Sequence, residues 1–247
     1  MKTALRKIHR WLGLLMALQI IAWMASGLYF SVFPIEEIRG EHLTRSADSL
    51  PPAAMTTAGI PLAVEHALDR HFDGPWSLSS LSLAQVGGDV FWRVSGESRK
   101  SRFTRLVTTT TPKVVPALDR QDATKTAENW LLQPARVIHV EWVDPTPGTD
   151  YRGHHGPAWK VDFEHEEGLS LYLHPWTGEV LARRTDRWRV FDFLWMLHIM
   201  DYDTRDDFNH PLLLVAALGG LIIALSGVVY WFLSSRFLRR RRSPAAA

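Results

Sequence analysis

Residues 211–233 read PLLLVAALGGLIIALSGVVYWFL and residues 12–33 read LGLLMALQIIAWMASGLYFSVF. Neither run holds a charged side chain. Roughly 20 apolar residues at ~1.5 Å rise each cross a ~30 Å hydrocarbon core, so both are long enough to span a bilayer as helices. The first, from about Trp11 to Phe33, is interrupted only by the polar residues Gln19, Ser26 and Ser31. A cleaved secretory signal is the competing reading. Its apolar stretch would be roughly 7–15 residues long and would end in small residues. This run is longer and ends in Tyr29, Phe30 and Phe33, so an uncleaved anchor fits it better. Tyr230, Trp231 and Phe232 close the second run in the same way, as interfacial aromatic rings do.

The flanks set the expected orientation. Lys2, Arg6, Lys7 and Arg10 precede the first span, and Arg236, Arg239, Arg240, Arg241 and Arg242 follow the second. The excess of Lys and Arg on the cytoplasmic side predicts that both flanks are cytoplasmic and that the ~175 residues between the spans lie outside. For a bacterial inner membrane that places the middle of the chain in the periplasm. A net charge of only +2 over 247 residues argues against a nucleic-acid partner. With no cysteine, the chain has no disulfide, thiolate zinc site, cysteine-held iron–sulfur cluster or covalent CxxCH haem attachment. In the second span Ala217, Gly219, Gly220, Ala224, Ser226 and Gly227 are small residues at spacings that let helices approach closely in lipid, which predicts a homodimer.

Between the spans the pattern changes. Residues 61–72, PLAVEHALDRHF, carry Leu62, Val64, Ala67, Leu68 and Phe72 at helical spacing. Strand-like runs follow: SLSSLSLAQV, then VFWRVSGE after a Gly87-Gly88-Asp89 turn, then RFTRLVTTTTPKVV. A second helix is predicted over ATKTAENWLL (123–132) with Asp122 as its N-cap. RVIHVEWV, AWKVDFEH, LSLYLHP and EVLARRT complete the strands. FWRVSGE at 91–97 aligns with AWKVDFE at 158–164, each after a helix and a strand, which marks a duplicated unit. The fold class is therefore two transmembrane α-helices flanking an α+β extracytoplasmic domain of two repeats, each a helix plus antiparallel strands. The expected boundaries are a basic N-terminus (1–10), the first span (11–33), a linker (34–58), repeat 1 (59–118), repeat 2 (119–187), an amphipathic interfacial segment (188–210), the second span (211–233) and a basic tail (234–247).

Three stretches carry a family resemblance. LYLHPWTGEVL (171–181) resembles the closing strand pair of a PepSY repeat, with His174 where an aspartate is usual. KIHRWLGL (7–14) and FLWMLHIMDY (193–202) resemble the histidine-bearing segments of PepSY-associated transmembrane proteins. Many members of that family have four or more spans and are associated with iron–siderophore reduction through b-type haem. The resemblance therefore implies haem b as cofactor, ferric iron or a ferric chelate as acceptor, and a dimer that rebuilds four helices from two.

The histidines are then the candidate ligands. His9 lies at the cytoplasmic mouth of the first span, and Arg6, Lys7 and Arg10 could pair with haem propionates. The alternative is an interfacial histidine in a basic flank. Val190, Phe191, Leu194, Trp195 and His198 fall at i, i+3, i+4 spacing in WRVFDFLWMLHIMDY, with His198 and Trp195 near one face with Phe191, and His210, just before Pro211, is a second ligand or an ordinary helix-start residue. His42 is a further candidate. Trp23, mid-span, reads as packing. His139, Asp144, Asp150, His154 and His155 could hold iron, or belong to a solvated loop. His71 reads as surface. The acidic cluster Asp201, Asp203, Asp206 and Asp207 could attract Fe³⁺ or be a solvated connector. No HExxH, GxSxG, P-loop, flavin or nicotinamide fingerprint is present, so electrons would come from a quinol or a cytoplasmic donor. The rival readings are a non-enzymatic tethered PepSY domain that regulates a protease or transporter, and an assembly factor for a redox complex.

Overall fold

The computed structural model describes residues 2–45, 61–86, 89–99 and 101–234. The chain forms two compact units, residues 1–33 with 190–247, and residues 34–189.

The helical unit contains α1 (Lys2–Val32), the second part of α5 (Asp186–Ile199), and α6 (Pro211–Ser234). Two segments, Arg10–Val32 and Pro211–Val229, are long and apolar enough to cross a membrane. Leu15 is 63 % exposed, Met24 71 % and Ile222 66 %, so these helices turn bulky apolar side chains outward, as lipid contact requires. Where α1 meets α6, the backbones of Gly219 and Gly220 seat the Met16 thioether, and Gly220 also approaches Trp23. Two of the small residues that predicted a dimer are thus used within one chain, while Gly227 has open space beside it.

The sheet unit consists of two copies of one motif. In the first, α3 (Pro61–Asp69) covers a sheet of order β1-β2-β3, formed by Trp76–Val86, Asp89–Ser98 and Ser101–Thr108. In the second, α4 (Arg120–Trp130) covers a sheet of order β4-β5-β6-β7, formed by Arg136–Val143, Ala158–Glu164, Ser170–Leu173 and Val180–Arg184. All pairings are antiparallel. The repeated FWRVSGE and AWKVDFE segments form β2 and β5, each paired on both sides. Val64, Ala67 and Leu68 of α3 bury against Val94, Phe103 and Val107. Ala127 of α4 and the adjoining Leu131 bury against Val140, Val161, Phe163, Leu171 and Leu173. Each Leu, Val or Phe so buried contributes about 1.5–3 kcal/mol, and this burial fixes which helix face meets each sheet.

Local details differ from the sequence expectation. The cap of α4 is Asp119, whose side chain accepts the amide of Asp122; helix begins three residues earlier because Arg120 and Gln121 tolerate it and Asp119 supplies the acceptor. The stretch 34–45, read as the start of a linker, is folded. It contains α2 (Ile35–Ile38) and a 3-10 turn, Glu41–Leu43. Ile38 is buried, its carbonyl accepts the Thr185 hydroxyl, and the backbone of Arg45 bonds to Trp130. The rest of the expected linker, 46–58, lies outside the described residues, as does the Gly87-Gly88 part of the β1–β2 turn. Gly96 meets a steric demand. A Cβ there would stand 2.1 Å from the Ser77 carbonyl and 3.0 Å from the Phe103 ring, beside the irregularity between Leu78 and Ser80.

Candidate functional site

Helix termini leave backbone carbonyls without partners, and in an apolar setting such groups must find donors. The C-terminal end of α5 finds them on α1. The Gln19 amide donates to the Leu197 carbonyl at 3.1 Å, and the Trp23 indole donates to the His198 carbonyl at 2.8 Å. Ser26, fully buried, meets Nδ1 of His198 at 2.7 Å. Met16, Gln19, Trp23, Ser26 and Phe30 follow a three-four spacing and so occupy one face of α1. The polar interruptions Gln19 and Ser26 are the partners of α5, and Trp23 is a tether rather than filler.

The Ser26 hydroxyl lies 3.0 Å from the Trp23 carbonyl and 2.7 Å from Nδ1 of His198. When it donates to that carbonyl its oxygen is free to accept from Nδ1–H, the tautomer that leaves the lone pair on Nε2. Nε2 has no hydrogen-bond partner among the described residues. Trp195 stacks near-parallel to the imidazole (4°, centroids 6.4 Å apart), and Phe30 and Trp23 lie 5.8 and 6.5 Å away. An oriented, neutral imidazole with one nitrogen anchored and the other open is the arrangement of a metal ligand.

Residues 188–210 are expected to lie along the interface or to form an outer extension of the bundle, and within the helical unit α5 packs on α1. Phe191, Trp195 and His198 pack against Phe30, while Val190 and Phe193 face outward. Met200 takes a left-handed conformation (φ 57°) that ends the helix. Asp201 then organises the connector: its carboxylate accepts the amides of Asp203, Thr204, Asp206 and Asp207 and the Thr204 hydroxyl. Burial alone would raise its pKa. The hydroxyl and amide bonds outweigh that and hold the carboxylate well below its usual range. Asp201 is therefore committed to the turn, while Asp203, Asp206 and Asp207 are exposed. Asp192, buried, pairs with Arg205 at 2.6 Å.

The other candidates are dispersed. Arg6 and His9 lie on the backbone of α1, but their side chains fall outside the described residues; Arg10 is exposed, 5.9 Å over the Trp11 ring. The His210 carbonyl opens α6, and its Nδ1 is buried without a hydrogen-bond partner. No hydrogen bond or ring contact joins it to His198 among the described residues. In the sheet unit His42 pairs with Glu167 at 3.0 Å and His139 with Glu141 at 3.5 Å. His154 stacks on Tyr151, which stacks on Tyr172, and Asp150 pairs with Arg189. His139, Asp150 and His154 thus have separate partners, and among the described residues no three such side chains gather as a metal site.

The turn between β6 and β7 shows why a histidine can stand at position 174. Its Nδ1 accepts the amides of Trp176 and Thr177 at 3.2 and 3.1 Å, which a carboxylate could equally accept. Burial, then the charges of Arg105 and Arg93, push its pKa down to about 4, which keeps Nδ1 free to accept.

A family model described as the PepSY-associated TM region matches residues 6–246. The chain belongs to this family. No curated protein and no solved structure matches it. With its two apolar helices, this PepSY-associated chain is a membrane protein.

Proposed function

We propose that this PepSY-associated protein is a haem b-containing reductase of the bacterial inner membrane. It passes electrons outward to periplasmic ferric iron or a ferric chelate and so supports iron uptake. Its flanks are cytoplasmic and its sheet unit periplasmic, following the basic residues around the spans. The observation that carries the reading is His198, whose Nδ1 is held by Ser26 and whose Nε2 has no partner among the described residues. The aromatic surroundings of that ring fit an axial ligand of a haem. When bound, haem supplies a one-electron redox centre. Ser26 orients the imidazole through Nδ1; Trp23 and Gln19 hold the helix end that carries it.

His9 stands 17 residues before Ser26 on the same helix, roughly 25 Å along the axis. It therefore serves a second centre nearer the opposite face, with Arg6 and Arg10 within one turn of it. His210, with its unpartnered buried nitrogen, is the further candidate ligand. A homodimer brings two copies of each ligand together and is consistent with the outward apolar faces of both helices. A quinol or a cytoplasmic protein supplies the electrons.

The test is the absorption spectrum of the protein purified in detergent and supplied with haem. Sharp Soret and α bands on dithionite reduction are expected, and His198→Ala should remove part of them. Aromatic absorbance alone, even after haem supplementation, overturns the proposal. It would leave the second reading, a membrane-tethered PepSY domain that regulates a partner protease or transporter, which rests on the open cleft of the sheet unit.

A further inference from the structure

The two repeats differ in one respect. The second sheet has four strands and the first has three. In the second, β7 returns after the turn and pairs with β6. In the first, the chain after β3 starts the same return. Val114 bridges Val107, the amide of Val115 donates to the Leu106 carbonyl at 2.8 Å, and that of Thr108 donates to the Lys113 carbonyl at 3.0 Å. Beyond Val115 the chain leaves β3 for the second repeat, where the amide of Leu118 donates to the Pro175 carbonyl at 2.7 Å, and the returning strand stops. The edge of β3 from Ser101 to Arg105 is left without a neighbour among the described residues.

The backbone groups on that edge can be assigned. Leu106 and Thr108 bond outward, to 113–115, and outward-facing residues alternate along an antiparallel strand. Arg102 and Thr104 therefore point their amides and carbonyls away from β2. Among the described residues the Thr104 carbonyl is met by the guanidinium of Arg105, at 2.9 Å, and by no strand partner, as expected for an edge carbonyl. All of Ser101–Arg105 line one cleft of about 690 Å³, as residues of both parities do when a cavity runs along a strand edge.

The cleft is cationic. Arg99, Arg102 and Arg105 line it, against Asp73 as the single carboxylate-bearing residue. Arg99 donates to the backbone carbonyl of Asp73, not to its carboxylate, and the Arg102–Glu97 pair is long (3.4 Å) and exposed. Arg105 lies 4.1 Å over the Trp176 ring, and its buried Nε has no partner. His155, Gly156, Pro157, His174 and Trp176 of the second repeat also line it.

We propose that the open edge of β3 takes an extended acidic segment of a partner protein as the missing fourth strand, with backbone bonds at Arg102 and Thr104 and carboxylates against Arg99, Arg102 and Arg105. Main-chain pairing supplies the affinity in such strand addition, and the arginines select acidic side chains. The inference does not depend on haem and holds whichever chemistry the helical unit performs.

The probe is a labelled peptide of roughly six residues, Val-Glu-Glu-Val-Glu-Glu, the length of an ordinary strand and with carboxylates on both faces, because Arg102 and Arg105 lie on opposite faces of β3. Its binding to the full chain in detergent is followed by fluorescence anisotropy. Saturable binding is expected, weakened about tenfold by methylation of alternate peptide amides, since one or two net hydrogen bonds are lost. A similar loss is expected for R99Q or R102Q, both exposed positions whose change spares the core. The Lys-Val counterpart should not bind. Equal binding of the methylated peptide, equal binding of the Lys-Val peptide, or full competition by citrate would each overturn strand addition. A protein that ignores the peptide because it buries this edge in its own dimer would do the same.

Discussion

Ser26→Ala removes one oxygen from a fully buried position and tests the geometry around His198 directly. Ser26 has two bonds, to the Trp23 carbonyl and to His198 Nδ1. The carbonyl retains its place in the helix, so the loss falls on the imidazole N–H, which is left without an acceptor. Desolvating such a donor costs about 1–3 kcal/mol, whereas the bond itself is worth about 0.5–1.5 kcal/mol net. His198→Ala removes the same bond together with the ring's contacts to Phe30 and Trp195. In the His198→Ala background the Ser26 hydroxyl has no imidazole partner, so its removal there leaves no ring nitrogen unpaired. The cycle should therefore show a coupling of about 1 kcal/mol, well above the ~0.3–0.5 kcal/mol within which independent sites add. The assay is unfolding in mixed micelles titrated with SDS, followed by tryptophan fluorescence. Ser31→Ala is the control, because that exposed hydroxyl bonds only to the Gly27 carbonyl one turn back, and a change within ~0.5 kcal/mol is expected. Additive effects of Ser26→Ala and His198→Ala would refute the assigned hydrogen bond and with it the tautomer. If the haem reading holds, Ser26→Ala also weakens haem binding about 10–100-fold, as loss of a ligand's supporting bond does.

Other outcomes follow from the same structure. Gly96→Ala drives a methyl into the Ser77 carbonyl, 2.1 Å away, and should destabilise the sheet unit by about 3 kcal/mol or more, measured by denaturant titration. His174 is neutral in the fold, with its pKa pushed down to about 4 from 6.5. The unfolded chain takes up the proton first, so its contribution is complete above pH 6.5 and is lost as pH falls toward 4. His174→Asn, which keeps an acceptor for the Trp176 and Thr177 amides, should flatten that part of a stability–pH profile; an unchanged slope would contradict the assignment. Asp201 is depressed below its ordinary value of 3.8, so it stabilises the connector above that pH and loses this on further acidification. Asp201→Asn should be less stable than the wild type at pH 7, and the gap should narrow as pH falls below about 4; a gap that is constant from pH 7 to pH 2 would rule this out.

The amino-acid sequence by itself determined the two spans, because an uncharged run of that length has few stable places other than lipid, and hydropathy needs no partner to be read. It also determined the duplicated helix-and-strands motif, since β2 and β5 keep the same alternation wherever they pack. The cap at Asp119 lay within reach of the same local reasoning, as Asp119 and Asp122 are both acceptors and only the backbone geometry chooses between them. The folding of 34–45 did not, because the Ile38 carbonyl is taken up by the Thr185 hydroxyl, 147 positions away in the chain. His198 stood out in the sequence, but its state did not. The Ser26 hydroxyl that meets its ring and the Trp23 indole that meets its carbonyl lie more than 170 positions away. The three-four spacing of Met16, Gln19, Trp23, Ser26 and Phe30 was the available signal, and it marks a face without naming what covers it. The cationic edge of β3 was equally hidden. Arg99, Arg102 and Arg105 carry no signal in the sequence until strand pairing shows which backbone groups are left over, and pairing is a property of the assembled sheet.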